Sequence, residues 1–325
     1  MKILTSAEAL AALHTSLAAK PRTYYAMYSS LFGGIVTDPA LMILPMDDHM
    51  AHRGDAVFEA LRCIDGYLYD AEAHFMRLER SAEGIGLKLP LSLAELKATV
   101  LATVGATAAR NGIVRIFVSR GPGDFTPNPY TTIGAQLYVV YTAPAAYPER
   151  LYTEGATLGL SVHPAKPRPY CTIKSCNYLP NVLMRKEAVD RGLDFVVAAT
   201  EDGHLTESST ENVALVTRDR KLVAPPYADM LRGTTLERVL ELARTHAAEL
   251  GLRDVEQREL RVADFETAES ALVIGTTLAV MPVKAFEGVT YTPAKDLPWL
   301  TPLMRLFQHD TLTNDARRTA VKFER

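Results

Sequence analysis

The chain has 325 residues, of which 48% are hydrophobic and 22% charged, which is the composition of an ordinary globular protein with room for about two domains. A formal net charge of −3 at pH 7 gives no broad basic field, so neither nucleic acid nor an anionic membrane is expected as a partner. No apolar run reaches the roughly 18 residues that a membrane-spanning helix needs.

The first predicted element is a helix near the N-terminus. Thr5 and Glu8 have the spacing of a capping box, which predicts a helix from there to about Ala19. Glu8 and His14 interrupt the apolar residues, which argues against a signal peptide. Without a targeting signal, and with three irregularly spaced cysteines that are expected to stay reduced, the predicted location is the cytoplasm.

An α/β unit is predicted from Tyr24 to about Tyr141. Asp65-Gly66 is a hairpin signal between two of its strands. Helices are predicted over residues 74–84 and 92–111. The segments that read as strands are “TYYAMYSSLFGG”, “ALMILPMD”, “AVFEALRCIDG”, “YLYDAEAH”, “GIVRIFVSRG” and “GAQLYVVYTA”.

The Pro- and Ala-rich residues 143–155 are the best candidate for an interdomain linker. They predict a smaller N-terminal α/β domain over residues 1–145 and a larger C-terminal domain over residues 146–325.

In the second part, a helix is predicted from Leu179 to Arg191, because Pro180 suits a first turn and Gly192 suits a stop. Its apolar residues should form a buried stripe: Leu179, Val182, Leu183 and Val189. A strand precedes it in “ATLGLSVHPA”. A strand meander, an amphipathic helix over residues 232–251, a strand–turn–strand unit and a helical patch near residues 300–307 follow.

The sequence predicts no metal site. His49 and His52 lack a third ligand and a thiolate, so a structural turn is the preferred interpretation. Nucleotide-binding motifs of the Walker and dinucleotide types are also missing.

Two Gly-Thr-Thr units are candidates for binding a phosphate. Gly233-Thr234-Thr235 opens a helix, whose free N–H groups and dipole suit an anion, and the second unit is Gly275-Thr276-Thr277. Taken alone, the first unit is more simply explained if Thr234 or Thr235 is a helix N-cap. Arg77 could add a cation, although an isolated arginine in a helix is most simply a solvated charge.

Lys174 lies between an apolar β-branched approach and an Asn-Tyr-Leu-Pro turn that opens a helix. A phosphate site together with such a lysine indicates pyridoxal phosphate, because a lysine forms a Schiff base with the cofactor aldehyde. Glu207, 33 residues later, could supply the carboxylate that keeps the pyridine nitrogen protonated.

The segments “HRGDAVFEALRCIDGYLYDAEAHFMRLERSAEGIGL”, “KSCNYLPNVLMRKEAVDRGLDFVVAATEDGHLTESSTENVALV”, “LRGTTLERVLELA” and “IGTTLAVMPV” occur in the order expected of one family. Over residues 24–290 the chain resembles the class IV (fold type IV) pyridoxal-phosphate aminotransferases. The resemblance implies a two-domain enzyme with a barrel-like β-sheet core in the larger domain. It also implies a homodimer.

The resemblance assigns roles to particular residues. Lys174 would carry the aldimine and move the proton, Glu207 would bind the pyridine nitrogen, and Tyr178 would hydrogen-bond the phenolic oxygen. Asn212 would have a supporting role, and Phe58 would line the substrate side. The phosphate would be held by Arg77, Thr234, Thr235, Thr276 and Thr277.

The subfamily is less defined. The stretches “YSSLFGGIVTDPALMILPMDDHMAHRGDAVF” and “SRGPGDFTPNP” most resemble the branch with D-amino-acid aminotransferases and aminodeoxychorismate-lyase-like proteins. The Gly121–Pro129 loop lacks the Arg-x-His carboxylate trap of bacterial D-amino-acid enzymes and the Tyr-x-Arg arrangement of branched-chain enzymes. Arg115 is either the substitute carboxylate anchor or an outward-facing strand arginine.

Three functions remain open at this point. The first is transamination between an amino acid, D- or branched-chain, and a 2-oxo acid such as 2-oxoglutarate or pyruvate. The second is cleavage of aminodeoxychorismate to 4-aminobenzoate and pyruvate with the same cofactor. The third, a non-catalytic cofactor-binding protein, fits poorly with the joint presence of Lys174, Glu207, Tyr178 and Arg77.

Overall fold

The computed structural model describes residues 1–18 and 23–323. Ten α-helices lie in these residues: α1 (Ser6–Ala18), α2 (His49–Arg53), α3 (Ala71–Gly84), α4 (Leu93–Gly105), α5 (Arg150–Thr153), α6 (Leu179–Asp190), α7 (Thr234–Thr245), α8 (Ala247–Leu250), α9 (Val262–Thr267) and α10 (Leu300–Thr313). The same residues form sixteen strands: β1 (Tyr24–Ser29), β2 (Gly34–Val36), β3 (Ala56–Ile64), β4 (Tyr67–Tyr69), β5 (Gly112–Ser119), β6 (Gln136–Thr142), β7 (Ala156–Leu160), β8 (Phe195–Ala199), β9 (Leu205–Ser208), β10 (Asn212–Val216), β11 (Lys221–Ala224), β12 (Asp254–Gln257), β13 (Ser270–Gly275), β14 (Ala279–Phe286), β15 (Val289–Thr290) and β16 (Arg318–Ala320).

The chain divides into two compact units. The smaller comprises Met1–Ala71, Phe75–Pro144 and Thr319–Arg325, and the larger comprises Glu72–His74 and Ala145–Arg318. That residues 1–145 and 146–325 are separate folding domains stays a prediction. The mixed α/β fold class with a barrel-like sheet is confirmed.

A seven-stranded sheet in the order β16-β4-β3-β5-β6-β1-β2 is the centre of the smaller unit. Asp65 and Gly66 join β3 to β4 with φ values of 49° and 86°, which is the left-handed backbone that a tight hairpin requires, so the predicted hairpin is confirmed. Residues of β3 alternate between the two faces of the sheet. Val57, Glu59 and Leu61 are buried, whereas Phe58, Ala60 and Arg62 are only half-buried.

Three predicted elements of this unit differ in the structure. The segment “ALMILPMD” is not a strand: Pro39–Leu41 forms a 3-10 turn and Met42–Pro45 pairs with no strand among the described residues. Proline at positions 39 and 45 has no N–H to donate to a sheet. In “YLYDAEAH” the strand ends at Tyr69, and the second predicted helix ends at Gly105 rather than residue 111.

The capping box that begins α1 is confirmed. Thr5 N–H donates to Glu8 Oε2 at 2.9 Å, and Glu8 N–H donates to Thr5 Oγ1 at 3.3 Å. The predicted end of this helix at Ala19 lies outside the described residues.

The larger unit contains a sheet that closes on itself. Six strands pair in the order β10-β13-β14-β7-β8-β9, and β9 pairs with β10 to complete the ring, which β11 and β12 extend. Alternate residues of β8 serve two cores. Phe195 and Val197 pack inside the ring, whereas Val196 and Ala198 pack with Met184 and Ala188 of α6.

The predicted buried stripe of α6 is wrong. Its four apolar residues are exposed, by 67% at Leu179, 57% at Val182, 36% at Leu183 and 60% at Val189. The face of α6 that points inward carries Asn181, Met184, Glu187 and Ala188 instead. Apolar spacing identifies a face of a helix, but it does not say what covers that face.

Within residues 1–18 and 23–323, no helix combines the length and the apolar character needed to cross a membrane. The three cysteines, Cys63, Cys171 and Cys176, are free thiols.

Candidate active site

The segment that carries Lys174 is held by the loop between β11 and α7. Lys174 is half-buried and lies between a 3-10 turn at Tyr170–Thr172 and the start of α6. Before it, Arg168 Nε donates to Asp229 Oδ1 at 2.7 Å, and the buried Cys171 thiol donates to the Ala228 carbonyl oxygen at 3.6 Å. Two successive residues of the loop therefore fix the approach to the lysine.

The same loop binds Glu207, which lies on β9. The backbone N–H of Leu231 donates to Glu207 Oε2 at 3.1 Å. Loss of hydration raises the pKa of Glu207 to about 7. The charge of Lys166, the Leu231 N–H and the charge of Lys174 oppose this rise, in that order of strength. Both lysines therefore lie within electrostatic range of the Glu207 carboxyl group.

Asn212 fixes the end of this loop. Its side-chain amide donates to the Leu231 carbonyl oxygen at 3.0 Å, and a Cβ atom at Gly233 would lie 1.9 Å from Asn212 Oδ1. A residue with a side chain at position 233 would therefore displace the amide. Glu207 and Asn212 face each other across the β9–β10 pairing, so one hairpin positions the loop that opens α7.

The first Gly-Thr-Thr unit begins α7. Gly233 is the N-cap, and Thr234 and Thr235 are the first two helical residues, so the alternative of a threonine N-cap is wrong. Both threonines are buried. N–H groups of a first turn have no partner inside the helix, and the dipole adds partial positive charge, so this end of α7 can bind an anion.

The second Gly-Thr-Thr unit forms the turn between β13 and β14. Thr276 and Thr277 are half-buried, and the Tyr147 hydroxyl lies 3.2 Å from Thr277 Oγ1. A Cβ atom at Gly275 would lie 3.4 Å from Glu211 Cγ. The β9–β10 hairpin therefore lies next to both Gly-Thr-Thr units, with Glu211 beside Gly275 and Asn212 beside Gly233.

Tyr178 lies just before α6 and lines a cavity of about 390 Å³, together with Tyr147 and Asn181. The ammonium nitrogen of Lys166 lies 5.7 Å from the centroid of the Tyr178 ring. One side chain, Lys166, therefore lies near the Tyr178 ring and also affects the charge state of Glu207.

The structure places three predicted site residues in the smaller unit. Arg77, on α3, is buried, and its Nε and Nη2 atoms donate to the two carboxylate oxygens of Glu59 at 2.7 and 2.8 Å. The alternative of a solvated helix charge for Arg77 is therefore wrong.

The other two lie on the half-buried face of the sheet. Phe58 stacks on Phe117, with ring centroids 5.8 Å apart, and Arg115 Nη1 donates to Thr142 Oγ1 at 2.8 Å. The role of Arg115 as a carboxylate anchor stays a prediction.

Sequence reasoning missed three residues that interact with the predicted ones. Glu59 pairs with Arg77, Lys166 acts on Glu207, and His74 lies 3.2 Å from Thr234 Oγ1. His74 precedes Arg77 by three residues on one helix, which places both on neighbouring parts of one face and could have drawn attention to it. Lys166 and Glu59 have no such local signal. Within the described ranges, no group of three His, Cys, Asp or Glu side chains could hold a metal ion.

Comparison with known protein families gives a match to the family described as Amino-transferase class IV over residues 56–286, which is well over half of the chain. The chain belongs to the class IV aminotransferases. Enzymes of this family use pyridoxal phosphate as their cofactor. The resemblance seen in the sequence is therefore confirmed at the level of family, cofactor and reaction type.

Two relatives and one solved structure show what the chain is similar to. The chloroplastic D-amino-acid transaminase of Arabidopsis thaliana is 36% identical over 297 residues, which cover 90% of this chain and 78% of that protein. The bifunctional aminodeoxychorismate lyase / D-amino acid transaminase of Mycobacterium tuberculosis is 31% identical, covering 78% of this chain and 90% of that protein. The crystal structure of the branched-chain aminotransferase from Thermoproteus uzoniensis superposes with a TM-score of 0.81 at 22% identity, covering 92% and 99% of the two chains.

The side chains of the larger unit fit the family cofactor. Lys174 would offer an amine to the aldehyde, Glu207 would offer a carboxyl group held by a backbone N–H, and the buried start of α7 would offer donors to the phosphate. These groups are connected through the loop that ends at Gly233.

Proposed function

We propose that this aminotransferase moves the amino group of a D-amino acid to a 2-oxo acid such as 2-oxoglutarate or pyruvate. The observation that carries the proposal is the loop from Ala228 to Gly233, which contacts the Lys174 segment, Glu207 and Asn212 and then begins α7. The likeness to the plant D-amino-acid transaminase favours the D-donor.

In this proposal the chain holds the cofactor by three kinds of contact. The N–H groups and hydroxyls of Thr234 and Thr235, with Thr276 and Thr277, bind the phosphate, and Arg77 is proposed to add its charge. The Glu207 carboxylate binds the ring nitrogen, and the Tyr178 hydroxyl donates to the phenolic oxygen. When bound, pyridoxal phosphate supplies an electron sink for the bonds of the substrate α-carbon.

Lys174 is the proposed proton carrier. Its Nζ atom takes the proton from the α-carbon of the amino donor and releases it in the second stage of each half-reaction. Holding a single amine near both ends of this transfer is a positioning effect, which can lower a barrier by several kcal/mol. Phe58 and Arg115 are proposed to line the substrate side, Phe58 with its ring and Arg115 with a carboxylate contact.

Two other activities have specific support. A branched-chain amino donor is suggested by the relative from Methanocaldococcus jannaschii named “Putative branched-chain-amino-acid aminotransferase”, which is 28% identical over 247 residues. Aminodeoxychorismate lyase activity is suggested by the mycobacterial relative, whose name combines that activity with D-amino acid transamination.

A donor panel separates these activities. Both enantiomers of each amino acid are supplied with 2-oxoglutarate or pyruvate, and product amino acid is measured; aminodeoxychorismate is supplied separately, and pyruvate is measured. We expect turnover with D-amino acids at least tenfold above that with the L-enantiomers. Turnover of branched-chain L-amino acids alone, or pyruvate release without transamination, would replace the proposal by the corresponding alternative.

We further propose that the enzyme is a homodimer. The exposed apolar face of α6 supports this, because Leu179, Val182 and Val189 are each more than half exposed in the single chain. Contiguous exposed apolar side chains are typical of surfaces that a partner covers. The cytoplasm remains our proposed location, although the plant relative is named chloroplastic.

A further inference from the structure

A buried histidine contacts the first residue of α7. His74 is 2% exposed and Thr234 is 5% exposed, and His74 Nε2 lies 3.2 Å from Thr234 Oγ1, which is hydrogen-bonding distance. Burying polar side chains is unfavourable unless they are paired, so this contact is part of the packing of both residues. The inference drawn from it rests on the proposed phosphate site at the start of α7.

The direction of this hydrogen bond decides what the threonine can do. A threonine hydroxyl has one hydrogen and two lone pairs, and a neutral imidazole has one donor and one acceptor nitrogen. If the hydroxyl donates to His74 Nε2, its only hydrogen is used. If Nε2–H donates to Thr234 Oγ1, the hydroxyl hydrogen stays available for another acceptor.

An anion at this end of α7 would select the second direction. The first-turn N–H groups of α7 can bind only acceptors, and a phosphate monoester is an acceptor of high negative charge. A hydroxyl hydrogen that is free to turn toward such a group adds a charge-assisted hydrogen bond. Thr234 is the first helical residue, and it is this residue that His74 contacts.

We propose that His74 is a positioning residue for the phosphate: its Nε2–H donates to Thr234 Oγ1 and so directs the Thr234 hydroxyl hydrogen to a phosphate monoester at the start of α7. His74 itself does not touch the cofactor in this account. The simplest alternative is that the histidine only fills space beside the helix. The two explanations differ in whether phosphate affinity returns when another side chain supplies the donor nitrogen.

Four variants of the full-length, cofactor-free protein test this. His74→Leu and Thr234→Val each remove one partner of the hydrogen bond, and their combination removes both. His74→Gln restores an amide donor near the place of Nε2. Thr245→Val, which removes an exposed hydroxyl at the other end of α7, is the control. Equilibrium binding is measured by absorbance for pyridoxal 5′-phosphate and for pyridoxal, which has no phosphate.

We expect His74→Leu and Thr234→Val each to weaken binding of the phosphorylated ligand about tenfold, which is the value of one such bond, and to leave pyridoxal binding unchanged. The double variant should bind no more weakly than either single one, because both remove the same interaction. His74→Gln should recover most of the affinity, and the control should match the unmodified protein.

Three results would overturn the proposal: no loss in the single variants, equal losses for pyridoxal and its phosphate, or losses that add in the double variant. If His74→Leu fails to fold, Thr234→Val and His74→Gln still test the proposal. A Thr234→Val variant that binds pyridoxal as weakly as its phosphate, relative to the unmodified protein, would also reject the role of the hydrogen bond. Unmodified protein that binds neither ligand would instead reject the proposed function itself.

Discussion

The raised pKa of Glu207 is a property of the predicted site that can be measured. Burial raises its pKa from 4.5 to about 7 in the cofactor-free chain. Between these two pH values the folded state therefore holds more protons on this group than the unfolded state does. The contribution of Glu207 to the free energy of unfolding is thus present at low pH and is lost as the pH rises through about 7.

Glu207→Gln removes this dependence, because an amide does not titrate. We expect the melting temperature of the cofactor-free variant to rise relative to that of the unmodified protein as the pH goes from about 4.5 to 7.5. Differential scanning fluorimetry over that range measures it. Glu201→Gln, an exposed glutamate in the turn before β9, should run parallel to the unmodified protein. If the melting temperature of Glu207→Gln also runs parallel to that of the unmodified protein, the raised pKa of Glu207 is contradicted.

A single site residue can be predicted from the sequence when its own segment carries a signal, and not when its partner lies far away in the chain. Lys174 and Glu207 can be proposed from the sequence because each lies in a segment that resembles a family signature. Glu59 was not found, because its pairing with Arg77 joins β3 to α3 and only the folded chain brings them together. Lys166 precedes Lys174 by eight residues, and nothing in its own neighbourhood indicates its effect on Glu207.

At the scale of elements, the β11–α7 loop can join α7 as it does because Gly233 has no side chain. A Cβ atom on residue 233 would overlap Asn212 Oδ1 at 1.9 Å, and overpacking of this kind costs typically about 1–3 kcal/mol. Gly233→Ala should therefore move Asn212 or the start of α7. We expect cofactor affinity to fall at least tenfold in an absorbance titration.

Gly275→Ala is the matched control for this prediction. Its Cβ atom would meet Glu211 Cγ at 3.4 Å, which is an ordinary van der Waals contact, so the second Gly-Thr-Thr turn should tolerate it. Equal losses in the two variants would mean that the Asn212 contact is not what fixes the loop.

The bounds of elements were predictable where local chemistry sets them. Asp65-Gly66 supplied the positive φ values of the hairpin, and the predicted stop at Gly192, with φ 68°, agrees with α6 ending at Asp190. The segment “ALMILPMD” shows the opposite case. Its apolar residues satisfy a strand pattern, but pairing is decided by partners elsewhere in the chain. In the part of the chain that the structure describes, these residues have no partner in a sheet.

At the scale of the whole molecule, the exposed face of α6 predicts association. The chain has a mass of 35.7 kDa, so a homodimer should sediment at about twice that mass. Val189→Glu would place a charge in the proposed contact, and we expect dimer affinity to fall at least tenfold, because burying an unpaired charge is costly. Analytical ultracentrifugation across a concentration series measures this.

Leu312→Glu provides the control, since Leu312 is an exposed apolar residue at the C-terminal end of a different helix, α10. It should leave the dimer intact. An unmodified protein that stays monomeric and fully active at all concentrations would reject the homodimer, and equal dissociation in both variants would place the contact elsewhere.

The proposed function depends on the amine of Lys174, which would join the cofactor aldehyde covalently and reversibly. Borohydride reduction of the cofactor-loaded protein, followed by peptide mapping, tests it directly. We expect a stable pyridoxyl adduct on the peptide that contains Lys174, and no adduct in a folded Lys174→Ala variant, which should also lose transamination. An adduct on another lysine, or a Lys174→Ala variant with near-normal turnover, would contradict it.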